Sequence, residues 1–66
     1  MEGAETDLQM AERHVRAGER NVADQQEMVS YLRSRGHPTE EAEQLLLTFI
    51  AILETHREHL SRLRAT

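Results

Sequence analysis

The chain has 66 residues and no cysteine, so we expect one small domain that disulfides do not stabilise. A domain of this size has little interior and usually depends on a metal, a partner chain or very good helix packing. The formal net charge is −4, with 12 acidic residues against 8 basic ones, which argues against a nucleic-acid-binding surface because such surfaces are basic.

The sequence also bears on the compartment. No run of it approaches the roughly 20 apolar residues that a transmembrane helix requires. The first residues are acidic and lack the basic segment with which a secretory signal begins. The absence of cysteine fits a reducing environment. We therefore expect a cytoplasmic protein without a membrane segment.

The first predicted element is a long helix over residues 7–35. Residues 1–5 show no apolar periodicity, and we expect them to be disordered. Thr6 and Gln9 then have the spacing of a capping box, which begins a helix. Seven-residue spacing gives Leu8, Val15, Val22 and Val29 at the a positions and Ala11, Gly18, Gln25 and Leu32 at the d positions. Four heptads in one register predict a coiled-coil helix with a left-handed supercoil.

The next segment predicts a turn and a second helix over residues 40–64. Gly36 has the position of a left-handed glycine cap, and the His-Pro pair after it favours an extended backbone. We expect Thr39 to cap the second helix. Because the connection is short, the two helices are expected to be antiparallel neighbours. The prediction is an all-α helical hairpin, with residues 1–66 as one domain.

The second helix is apolar around most of its circumference, which indicates burial on several sides. Leu47 and Ile50 fall outside the arc that the first helix can cover while it also covers Phe49. We therefore predict that a second copy of the chain completes a homodimeric four-helix bundle. The predicted dimer interface consists of Met28, Leu45, Leu47, Phe49, Ile50, Ile52 and Leu53.

Two polar residues lie on the predicted seams between helices, Gln25 on the first and His56 on the second. A polar group at such a position most often fixes the register or the oligomeric state of a bundle. Gly18 also lies on a seam, at a cost of about 1 kcal/mol in helix propensity relative to Ala. We expect this glycine to allow close packing near His56 or Arg57.

The histidines are the residues that most resemble a chemical site. The predicted hairpin brings His14 close to His59, and His56 lies three residues before His59. Three imidazoles at the open end of the bundle are ligands that zinc accepts. However, the sequence lacks the paired Glu-x-x-His of di-iron bundles. A metal site at His14, His56 and His59 is thus an alternative, and the expectation is no metal and no cofactor.

Other chemistry has less support in the sequence. There is no Gly-rich phosphate loop, and no serine has a convincing base and orienting group, so we do not expect an enzyme. Arg13, Arg16 and Arg20 form a short basic strip that could contact phosphate, but Glu19 and Asp24 interrupt it. We therefore do not expect nucleic acid as the main partner.

Residues along both helices carry a resemblance to known proteins. They are Ala11-Glu12-Arg13-His14-Val15, Gly18, Gln25, Gly36-His37, Ala42-Glu43, Leu46, Phe49, Leu53, His56, His59 and Leu63. In these residues the chain resembles a group of short, uncharacterised bacterial helical-hairpin proteins, which implies a bacterial hairpin protein without a known activity. In predicted shape and length alone, the chain is also similar to the Rop RNA-binding proteins, which are dimers of helical hairpins.

The function that the sequence favours is that of a homodimeric helical bundle acting as a protein–protein interaction or regulatory module. Its expected partners are a second copy of itself and an unidentified protein. Rop-like RNA binding and a histidine-based metal site remain the two alternatives, and fold similarity alone does not decide among them.

Overall fold

The computed structural model describes residues 3–66, which form two helices, α1 over Asp7–Ser34 and α2 over Glu40–Ala65. The two helices pack against each other as a hairpin with extents of 52 × 24 × 12 Å. Over these residues there is no strand, and neither helix has the length and apolar character needed to cross a membrane. The predicted all-α hairpin is confirmed, and the predicted helix ends differ from the observed ones by at most one residue.

The first helix begins with the predicted capping box. The Gln9 backbone N–H donates to the Thr6 hydroxyl at 3.0 Å, and the Thr6 backbone N–H donates to the Gln9 side-chain oxygen at 3.0 Å. Residues 3–6 are not helical, but Glu5 is held by two hydrogen bonds of 2.9 Å from the Arg13 guanidinium. The prediction of disorder at residues 1 and 2 lies outside the described residues.

The first helix ends at the predicted glycine cap. Gly36 has a φ of 73°, in the left-handed region. Its N–H donates to the Arg33 carbonyl at 3.1 Å, and the His37 N–H donates to the Leu32 carbonyl at 2.9 Å. These two bonds form a Schellman motif. The chain then turns back, so that Pro38 and Leu32 line one shallow groove.

Thr39 precedes the second helix, but its side chain does not cap that helix. Its backbone has φ −116° and ψ −1°, in the helical region, whereas an N-cap residue typically has an extended backbone. The hydroxyl donates instead to the Glu43 carboxylate. The predicted Thr39 cap is therefore wrong. Carboxylates in the first turn, which include Glu40 and Glu43, favour this helix end through the helix dipole.

The two helices pack closely against each other at Gly18. A Cβ atom added to Gly18 would lie 3.0 Å from Leu53 Cδ1 and 3.6 Å from Leu53 Cα. The predicted close approach is confirmed, but the facing residue is Leu53 rather than His56 or Arg57, one turn further along.

The hairpin has a small core and a large apolar surface. Among the described residues, the buried apolar side chains are Ala11, Val29, Leu53 and Leu60. The large apolar side chains that stay exposed are Leu8, Met10, Met28, Tyr31, Leu45, Leu47, Ile50 and Ile52. Exposed apolar side chains that cluster on one side of a protein are typical of interaction sites.

Candidate interaction surfaces of the hairpin

One edge of the hairpin, which we call the charged edge, is bridged by ion pairs between α1 and α2. The pairs, with their N···O distances, are Arg64 to Glu12 at 3.4 Å, Arg57 to Glu19 at 3.3 Å and Arg33 to Glu43 at 3.7 Å. Within each helix the paired residues are multiples of seven apart, so they form one row. Exposed pairs of this kind contribute at most about 1 kcal/mol each, and their main effect is to make this edge polar.

The row of ion pairs has one uncharged position, formed by Gln26 on α1 and Ile50 on α2. Ile50 lies seven residues from both Glu43 and Arg57, so it belongs to the same row. It is 37% exposed, and Leu47, one turn before it, is 62% exposed. We call these two side chains the Leu47/Ile50 patch.

The opposite edge, which we call the apolar edge, carries Met28 on α1 and Leu45 and Ile52 on α2. These three side chains are 48%, 44% and 44% exposed. An α-helix turns about 100° per residue, which places Ile52 about 100° to one side of the buried Leu53 and Ile50 about 60° to the other. The two sets of exposed aliphatic side chains therefore lie on opposite sides of the hairpin.

Two histidines meet at the open end of the apolar edge. The ring centroids of His14 and His56 are 5.0 Å apart, with an angle of 45° between the rings. His14 is fourteen residues from Met28 and shares its row on α1. Over residues 3–66, no group of three His, Cys, Asp or Glu side chains is close enough to hold a metal ion. Two of the three candidate ligands thus come together, and His59 does not complete a metal site with them.

Gln25 connects the two helices directly. Its side-chain amide donates to the Ala42 carbonyl at 2.9 Å. The amide is partly buried, so this bond satisfies a polar group that would otherwise be costly between two helices. Because the bond aligns Gln25 with Ala42 along the helix axes, it is consistent with the register-setting role predicted for this residue.

The predicted basic strip is partly neutralised by the chain itself. Arg13 pairs with Glu5, and this hydrogen bond holds the pKa of the Glu5 carboxyl below its usual value and raises the pKa of the Arg13 guanidinium. Arg16 and Arg20 make no ion pair within the described residues. A strip of three arginines in which one is already paired is a weak phosphate-binding surface.

The predicted dimer interface does not form one surface. Its members are Met28, Leu45, Phe49 and Ile52 on the apolar edge, Leu47 and Ile50 on the charged edge, and Leu53 between the helices. Leu53 is 5% exposed, since its own first helix covers it, and it has little surface left for a partner. A flat partner on one edge does not reach the other, and the seven-residue interface as a whole stays a prediction.

The ion pairs of the charged edge were not predicted from the sequence. The signal for them was present in the seven-residue spacing of Glu12 and Glu19 on α1 and of Arg57 and Arg64 on α2.

Comparison with known proteins adds no functional assignment. No protein-family model matches the chain, and no curated protein or solved structure matches it either. The resemblance to short bacterial hairpin proteins and the similarity in shape to Rop stay predictions from the sequence. The two edges of the hairpin are therefore the basis for a functional proposal.

Proposed function

We propose that this chain acts in the cytoplasm as a homodimeric four-helix bundle, a small protein–protein interaction or regulatory module in which a second copy covers the apolar edge. The observation that carries this proposal is the pair of exposed aliphatic side chains Leu45 and Ile52, which lie in one row beside the exposed Met28. Both helices thus offer apolar surface to the same side.

The geometry of a four-helix bundle favours the apolar edge as the interface. Each helix in such a bundle has one neighbour from its own hairpin and a second neighbour roughly at right angles to it. Ile52, about 100° from Leu53 around the helix, points toward that second neighbour. The charged edge is a poorer interface, because burying its ion pairs would require their desolvation.

The size of the core supports the same conclusion. A chain of 66 residues with few buried apolar side chains gains little stability from its own hairpin. Full burial of a large aliphatic side chain contributes about 1.5–3 kcal/mol, and a two-fold axis repeats each contact. A second copy would therefore supply much of the stability that one hairpin lacks.

Two paired substitutions test the proposal. Leu45→Glu with Ile52→Glu places carboxylates on the apolar edge, and we expect a monomer that has lost much of its helical circular dichroism at micromolar concentration. Gln44→Glu with Ala51→Glu is the matched control, because these exposed residues have the same spacing and face away from α1. Sedimentation should show the control as a dimer. If the protein with Leu45→Glu and Ile52→Glu stayed a folded dimer with the affinity of wild type, the proposal would be contradicted.

The two alternatives have less support in the described part of the hairpin. Rop-like RNA binding through Arg13, Arg16 and Arg20 would have to break the pairing of Arg13 with Glu5. A histidine metal site would need a third ligand beside His14 and His56.

A further inference from the structure

The proposed dimer leaves the Leu47/Ile50 patch uncovered. Ile50 and Ile52 are about 160° apart around α2, so a copy seated on the apolar edge does not reach Ile50. Leu47 is the more exposed member, at 62%, and it is the most exposed of the large apolar side chains among the described residues. Two aliphatic side chains three residues apart form a site of the size that one turn of a partner helix occupies.

The charges around the patch indicate the chemistry of its partner. The carboxylates at its rim are Glu40, Glu43 and Glu54 on α2, one or two turns from Leu47 or Ile50, and Glu19 across the charged edge. The two nearby arginines are already engaged, since Arg33 pairs with Glu43 and Arg57 pairs with both Glu19 and Glu54. Four carboxylates against two arginines leave the rim acidic.

We propose that the Leu47/Ile50 patch docks one amphipathic helix of a partner protein, whose aliphatic face is flanked by Lys or Arg. The aliphatic face covers Leu47 and Ile50, and the basic flanks meet the carboxylates of Glu40 and Glu54. A second copy of the chain docked through the same edge would bring two acidic rims together, and their carboxylates would repel each other. The carboxylates would also repel an anionic lipid surface. This docking site does not depend on the dimer, because both residues of the patch lie on the same hairpin.

A labelled synthetic peptide tests this inference on the full chain. The probe is an amphipathic helix of about 18 residues with a leucine face and lysine flanks, and its control has glutamate in place of each lysine. Fluorescence anisotropy should show binding of the lysine peptide only. Leu47→Ser with Ile50→Ser should weaken this binding about tenfold or more, because two aliphatic contacts are lost. Tyr31→Ser, which removes an exposed apolar side chain elsewhere, should bind as wild type does.

Several results would overturn the inference. They are unchanged binding by the Leu47→Ser, Ile50→Ser protein, equal binding of the glutamate peptide, and co-sedimentation with anionic vesicles that this variant abolishes. A wild-type tetramer that the variant reduces to a dimer would show that other copies occupy the patch. Sedimentation of the wild-type chain separates the two proposals. A monomeric wild type would contradict the proposed dimer, whereas the peptide measurement would still test whether the Leu47/Ile50 patch binds a partner helix.

Discussion

The two helices approach each other closely at Gly18. Its missing side chain leaves room for Leu53, which is buried against it. Glycine in a helix costs about 1 kcal/mol relative to Ala, and close packing offsets that cost. The sequence indicated this role correctly. A glycine on a coiled-coil seam weakens its own helix, and close packing of a neighbouring helix can compensate for this cost.

Gly18→Ala should therefore have different effects in two backgrounds. The substitution gains helix propensity, but its Cβ would meet Leu53 Cδ1 at 3.0 Å, so Leu53 has to move. In a Leu53→Ala background that atom is absent, and we expect Gly18→Ala to stabilise by about 1 kcal/mol. In wild type the gain should be smaller. Urea unfolding of the four proteins measures this coupling, and equal effects in both backgrounds would contradict the contact.

The pairing of Glu5 with Arg13 predicts a pH effect at the start of α1. The hydrogen bond from Arg13 holds the pKa of Glu5 below its usual value of 4.5. Because the folded pKa is lowered, the interaction stabilises the folded chain above the unfolded pKa and is lost as the pH falls through the folded pKa. NMR titration should show the Glu5 pKa rising toward 4.5 in Arg13→Gln. An identical titration of Glu5 in both proteins would rule out the pair in solution.

The helices themselves follow from local signals, and this explains why their ends were predictable. A capping box at Thr6 and a left-handed glycine at Gly36 act within a few residues of chain. The residue that faces Gly18 was not predictable in the same way, since it depends on the packing of two helices that are distant in sequence. The structure places Leu53 against Gly18, about one turn from the predicted His56 or Arg57.

The two helix starts should respond differently to substitution. Thr6→Ala removes the hydroxyl that accepts the Gln9 N–H, and loss of such a cap costs about 0.5–2 kcal/mol. Thr39→Ala should cost less, because the Thr39 side chain makes no capping bond to the backbone of α2. Thermal unfolding of the two variants at equal concentration compares them. A larger loss for Thr39→Ala would contradict the observed difference between the caps.

At the scale of the whole molecule, the hairpin presents two edges of different character. The sequence predicted that α2 has more apolar surface than α1 can cover, and the exposed Leu45, Leu47, Ile50 and Ile52 agree with that prediction. It did not separate these residues into two surfaces. That separation requires the angular position of each residue relative to Leu53 and the ion pairs that mark the charged edge.

The central claim is that a second copy covers the apolar edge. Sedimentation equilibrium of the wild-type chain at micromolar concentration tests it most directly, with circular dichroism recorded on the same sample. We expect twice the mass of one chain, together with high helical content, and a thermal midpoint that rises with protein concentration because association stabilises the folded state. A well-folded helical chain that sediments with the mass of a single copy, and whose thermal midpoint is independent of concentration, would contradict the claim.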